Sequence, residues 1–212
     1  MYINILIWPF SMVGWVTSIN QRAEASMQRI NEFLEKQSEI YNKNFENYPI
    51  KGDIEFRNVS YVYPNTGIKA LDNLSFTIDA GQSLAIMGKT GSGKSTIALL
   101  LCRLIDPSEG EILIDGKNLK DHNLENYRNF IGYIPQESYL FSDSIEHNIG
   151  FSIEYPTHEK VVVYSKIADV HKNIVEFKEQ YKTMVGERGV MLSGGQKQRI
   201  CIARALIKDP NI

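Results

Sequence analysis

Cysteine, histidine and surplus charge are all scarce in this chain: two cysteines, four histidines and a net charge of −2 over 212 residues. Cys102 and Cys201 lie far apart, each in an apolar run, which excludes a disulfide framework and reads as two buried, reduced thiols. His122, His147, His158 and His171 lack the spacing of a metal site. A near-neutral balance leaves no electrostatic footprint for nucleic acid, so no nucleic-acid partner is expected. Internal repeats and low-complexity tracts are missing too. What remains, 43% hydrophobic and 23% charged residues, is the composition of an ordinary globular domain with room for an appendage.

Charge disappears altogether from one stretch. Met1 to Ile19 holds no charged residue and includes Trp8, Phe10 and Trp15. Its length is near the minimum for crossing a bilayer, and neither a basic leader nor a small-residue cleavage site marks it as a signal peptide. Beyond it, Ala23, Met27, Ile30, Phe33 and Leu34 recur at helical spacing. Arg22, Arg29 and Lys36 follow the apolar stretch, which places that end in the cytoplasm. The expectation over 1–35 is a membrane helix continued as a cytoplasmic helix. Asn4 and Pro9 make a poor lone span, so it is expected to pack in a bundle. A buried core helix and an interfacial anchor stay open. Residues 36–52 are polar, end at Pro49 and Gly52, and read as a linker to a domain over 53–212.

Within that domain, Gly88-Lys89-Thr90-Gly91-Ser92-Gly93-Lys94-Ser95-Thr96 fits the phosphate-binding pattern G-x-x-x-x-G-K-[ST]. Glycines let successive N–H groups curl round a phosphate without Cβ clashes. Lys94 has the reach for the β- and γ-phosphates, and the Ser95 hydroxyl is a ligand for Mg²⁺. Ser83–Met87 ahead of the loop reads as a buried parallel strand, and Thr96–Leu101 after it as a helix whose positive end faces the phosphates. A nucleoside triphosphate is the expected ligand.

Flanking segments fill in the domain. Ile54–Val59 and Leu74–Ile78 read as antiparallel strands with a turn at Pro64–Gly67 between them. Glu111–Ile114 and Ile131–Ile134 read as further strands, the second a core strand. Asn123–Phe130, Lys160–Phe177 and Gln196–Ile207 carry helical patterns, the last halted by Asp209-Pro210.

The run Leu192-Ser193-Gly194-Gly195-Gln196 resembles the LSGGQ signature of ATP-binding cassette (ABC) ATPases. At a helix start, Ser193 and Gly195 would turn a hydroxyl and bare N–H groups toward an anion. By that resemblance Tyr63 stacks on adenine, with Tyr61 its rival. Gln136, in Tyr133-Ile134-Pro135-Gln136-Glu137, matches the glutamine that touches Mg²⁺ and the attacking water. Leu140–Ile149 and Val185–Gly189 resemble exporter segments, the latter facing the coupling helices of the membrane domain. The N-terminal residues are similar to the last transmembrane helix of bacterial multidrug-type exporters.

The resemblance implies a definite fold: an α/β P-loop NTPase cassette with an antiparallel β-subdomain, a parallel α/β core and a helical subdomain. It also implies ATP and Mg²⁺ as ligands and a second cassette, identical or not, as partner. Lys94 and Gln136 would serve catalysis. Ser193, Gly194, Gly195 and Gln196 would meet nucleotide across the interface. Hydrolysis would drive export of an amphipathic molecule through an inner or plasma membrane, with the cassette in the cytoplasm. Family members continue past the equivalent of Ile212 into an aliphatic strand bearing the metal-binding Asp and catalytic Glu. The chain is therefore expected to be part of a longer protein, to be incompletely ordered alone, and to hydrolyse ATP negligibly. Two rivals are a non-hydrolysing binding or regulatory module and a soluble, non-transport ABC ATPase. A P-loop kinase or GTPase would lack residues 192–196.

Overall fold

The computed structural model describes residues 2–38, 40–186 and 192–212. The chain divides into two units, Met1–Tyr41 and Asn42–Ile212.

The first unit is one helix, α1 (Tyr2–Glu35), with Pro9 inside it. Trp8, Phe10, Trp15, Phe33 and Leu34 are exposed along it. No described helix is long and apolar enough to cross a membrane. The reason lies in the composition: Asn4, Ser11, Thr17, Ser18, Gly14 and Pro9 interrupt the aliphatic residues.

In the second unit, β1 (Ile54–Val62) and β2 (Lys69–Ile78) form the expected antiparallel pair. Their turn is closed by Gly67 N–H donating to the Tyr63 carbonyl at 2.8 Å. β3 (Glu109–Ile114) pairs antiparallel with the other edge of β1, and β4 (Lys117–Asn118) returns along β3, giving the order β2-β1-β3-β4. Alternation sets the inner face of β1. Ile54 and Phe56 point inward, the register shifts at Asn58 (φ 50°), and Val59 and Tyr61 then resume the buried phase. Phe56 stacks on Phe76 across the pair, ring centroids 4.5 Å apart.

Against this face packs α2 (Lys94–Leu101), contributing Leu100 to the core and Ile97 and Leu101 to its margin. Each such side chain, once fully buried, adds about 2 kcal/mol. α3 (Leu124–Asn129) is capped by Asn123, and the buried Tyr127 hydroxyl donates to the Leu101 carbonyl at 2.7 Å. A second core joins α4 (Ile145–Gly150), α5 (His158–Ile167), α6 (His171–Val175) and α7 (Gly194–Leu206) through Ile149, Val161, Ile174 and Ile200. Cys102 and Cys201 are free and buried, as expected.

The segment before β1 is held to the domain by side-chain amides and one carboxylate. Asn42 Nδ2 donates to Asn123 Oδ1, and Asn123 Nδ2 to Asn47 Oδ1, both at 2.8 Å. The Asp115 carboxylate accepts from the N–H groups of Lys51, Gly52 and Asp53 at 2.8–3.0 Å.

Two expected core strands differ. Ser83–Met87 carries no regular structure and lies exposed, Met87 at 91%. Ile131–Ile134 also stands outside any ladder. A parallel strand exists only through hydrogen bonds to its neighbours, and none of the described strands lies beside 83–87. Ile131 does have the beginning of one. Ile212 N–H donates to the Phe130 carbonyl at 3.1 Å, and Gly132 N–H donates to the Ile212 carbonyl at 2.8 Å, the bond pair of a single parallel bridge. Between the sheet and α2 an apolar groove of about 460 Å³ stays open, lined by Phe56, Phe76, Leu84, Ile86 and Ile97.

Candidate functional site

The loop at 88–93 is shaped by glycine. Gly91 and Gly93 take φ of +81° and +84°, a region other residues rarely adopt. A Cβ on Gly93 would run into the Ala70 carbonyl of β2, and one on Gly88 would meet Ser92 Oγ at 2.6 Å. Gly93 also precedes the first turn of α2, so its left-handed turn delivers the chain straight into the helix.

Lys94 folds back over this loop. Its ammonium donates to the carbonyls of Gly88 (2.9 Å) and Lys89 (2.8 Å), with Ser92 Oγ at 3.4 Å. Thr90, Gly91, Ser92 and Ser95 are exposed, leaving the Ser95 hydroxyl open to solvent at the helix start. Thr96 is buried, and its Oγ1 lies 3.1 Å from the hydroxyl of Tyr63. The fold therefore brings Tyr63, at the end of β1, beside the phosphate-loop helix. Tyr61 is buried in the sheet core, its ring edge-on to Tyr63 at 5.0 Å.

The signature run begins α7 with a reciprocal cap. Ser193 Oγ accepts from the Gln196 N–H at 3.3 Å, and Gln196 Oε1 accepts from the Ser193 N–H at 2.9 Å. This capping box satisfies two helix-end donors and leaves the Ser193 hydroxyl proton free to donate outward. Ser193, Gly194 and Gly195 are exposed at that end. Gln136 is exposed on the loop after Pro135. No described hydrogen bond joins Gln136 or residues 193–196 to the loop at 88–96. Of the exporter-like segment at 185–189, Glu187 to Gly189 lie outside the described residues.

One residue of the exporter-like segment Leu140–Ile149, to which the sequence assigns no individual role, links these parts. Asn148 on α4 is 1% exposed, and its Oδ1 accepts from Phe141 N–H (2.9 Å) and from Arg204 Nη2 (2.8 Å). Its Nδ2 donates to the carbonyls of Phe141 and Ser144, both at 3.0 Å. Arg204 belongs to α7, so one carboxamide ties the loop after Gln136 to the helix that carries the signature. A polar residue on the apolar face of Ile145–Ile149 was the available signal. Nearby, Asp143 is held below the usual aspartate range, chiefly by the Ser144 N–H and further by His147, with burial opposing.

The arrangement suits a triphosphate. A glycine-shaped turn, an ammonium resting on loop carbonyls and an open hydroxyl at a helix N-terminus together match phosphate and a hard cation. Comparison with known proteins agrees. A family model described as ABC transporter matches residues 71–212. The chain is 42% identical over 224 residues to ABC transporter B family member 6 of Dictyostelium discoideum, covering 96% of this chain and 33% of that protein. It is 40% identical over 214 residues to the probable multidrug resistance ABC transporter ATP-binding/permease protein YheI of Bacillus subtilis (strain 168), covering 100% of this chain and 36% of that protein. Among solved structures, a bacterial Atm1-family ABC exporter with ATP bound superposes with a TM-score of 0.83 at 36% identity, covering 100% of this chain and 37% of that one. The chain thus spans about a third of the length of the relatives it matches. On the phosphate loop, the capped signature helix and these likenesses together, the chain belongs to the ABC transporter family.

Proposed function

We propose that residues 42–212 serve as the ATP-binding cassette of an exporter, working in a dimer of cassettes. The observation that carries this is Lys94, poised on its own loop carbonyls with Tyr63 fixed beside the same helix. Lys94 exchanges these carbonyls for the β- and γ-phosphate oxygens, while the loop N–H groups of Gly88 to Thr96 surround the phosphate chain. Tyr63 offers its ring to adenine. Ser95 and Gln136 hold Mg²⁺, which when bound offsets phosphate charge. Ser193 donates its free hydroxyl proton, and Gly194 and Gly195 their exposed helix end, to the γ-phosphate on the partner cassette, while Gln196 holds Ser193 in place through the cap. Two halves joined through a shared phosphate separate once it is released, and that cycle drives export of an amphipathic molecule across the inner or plasma membrane. The Gln136 loop, against the membrane domain, and Val185–Gly189, facing its coupling helices, relay the motion. The relatives named multidrug and B-family transporters support this reading.

Binding of a fluorescent ATP analogue to the purified chain tests it. The expected result is saturable binding strengthened by Mg²⁺ and weakened at least about tenfold in Lys94→Ala, since a lost charge-assisted contact is worth about 1.5–3 kcal/mol. Equal affinity in the variant would overturn the assignment.

A further inference from the structure

A cavity of about 310 Å³ opens where the ends of α2, α3 and α7 meet, away from residues 88–96. Arg128, Arg204 and Lys208 line it together with Cys102, Leu104 and Tyr133, and no carboxylate is among the described residues that line it. Among the described residues, every polar partner of the three cations is neutral. Arg128 donates to the carbonyls of Cys102 (3.2 Å) and Arg103 (2.7 Å). Lys208 donates to the Arg128 carbonyl at 2.8 Å. Arg204 donates to the carbonyls of Asn148 (2.7 Å) and Tyr139 (2.9 Å) and to Asn148 Oδ1. None of them enters any described ion pair.

Donor counting shows what is left over. A guanidinium has five N–H donors and an ammonium three, so each cation keeps donors uncommitted after these bonds. Burial also pulls Arg204 and Lys208 below their ordinary pKa values, the mark of charge withdrawn from water without a counter-ion. One cation at a helix C-terminus is an ordinary cap. Three cations lining one hollow is more than capping needs, and an anion there would supply the counter-charge they lack.

We infer that this cavity is a second oxyanion site, which takes one phosphate or carboxylate group between Arg128, Arg204 and Lys208. The inference stands apart from the nucleotide reading, because no phosphate-loop residue lines the hollow. A free phosphate and an acidic side chain from another protein segment share this chemistry.

The test uses the full chain in mild detergent, carrying Lys94→Ala so that the phosphate loop is silent. The Arg204 Nε–H resonance is followed during titration with inorganic phosphate, against sodium chloride of equal ionic strength. A parallel titration uses a blocked peptide with one glutamate, against its glutamine counterpart. A saturable shift with phosphate supports a free-anion ligand, and a shift with the glutamate peptide alone supports a protein carboxylate. Lys208→Gln, which keeps a donor for the Arg128 carbonyl, should weaken either response about tenfold, the loss of one charged contact. Leu104→Glu removes no hydrogen bond and sets a carboxylate at the mouth, so it should abolish the response. No shift with either probe, or a shift that survives both variants, would overturn the site.

Discussion

Replacing Asn148 by alanine should be among the most damaging changes available in the helical half of the domain. The side chain is buried, and it accepts from Phe141 N–H and Arg204 Nη2 while donating to the carbonyls of Phe141 and Ser144. Each neutral bond is worth about 0.5–1.5 kcal/mol net, and the one to the guanidinium about 1.5–3 kcal/mol. These terms overlap, since all hold the same turn, so a realistic total is about 3–5 kcal/mol. A typical domain is stable by about 5–15 kcal/mol, so the variant loses a large share of its margin. Asn148→Asp keeps both acceptor roles but sets an oxygen where Nδ2 donated to the Phe141 and Ser144 carbonyls, so it should also destabilise the domain. Urea unfolding followed by circular dichroism gives the totals, and amide hydrogen exchange at Phe141 gives the local effect. An alanine cost under about 1 kcal/mol, or unchanged exchange at Phe141, would refute the claim that this carboxamide holds the loop to α7.

Three further outcomes follow from the geometry. Gly93→Ala should cost about 2 kcal/mol or more and abolish nucleotide binding, because it combines a positive φ with the Ala70 carbonyl. Gly91→Ala, strained but unobstructed, should be clearly milder, and equal effects in melting and binding assays would contradict this. Asp115→Ala should cost about 2–3 kcal/mol in urea unfolding by stranding the N–H groups of Lys51, Gly52 and Asp53, and a cost near zero would show the segment is held otherwise. Asp143 has a depressed folded pKa, so its contribution is present above the ordinary aspartate value and fades as pH falls through the folded one. Its carboxyl carbon should titrate below the usual range by NMR, His147→Ala should return it only part-way, and an ordinary midpoint would count against the Ser144 bond.

Local features were legible in the sequence where neighbours along the chain decide the outcome. β1, β2 and the turn at Pro64–Gly67 follow from alternation and turn residues, and Ser193 reads as a helix start with Gln196 three residues on. Ser83–Met87 and Ile131–Ile134 share the same apolar character yet form no described ladder, because strand membership belongs to the partner as much as to the segment. The bulge at Asn58 shifts the buried phase of β1, which periodicity alone does not foretell. In the candidate site, the phosphate loop, Tyr63 and the signature are short patterns with their own chemistry. The bonds from Asn148 to Arg204 and from Asp115 to Lys51 join residues distant in sequence, and no local pattern announces them.

The ammonium of Lys94 lying on the carbonyls of Gly88 and Lys89 has a consequence for how variants there are read. This group bridges two carbonyls of the turn and neutralises dipoles that would otherwise face one another. Substituting it with a neutral side chain withdraws a strut as well as a charge. A binding defect in Lys94→Met then blends two losses, a missing contact to phosphate and a reshaped empty loop. Amide shifts of Gly88 to Ser92 in the ligand-free variant separate the two.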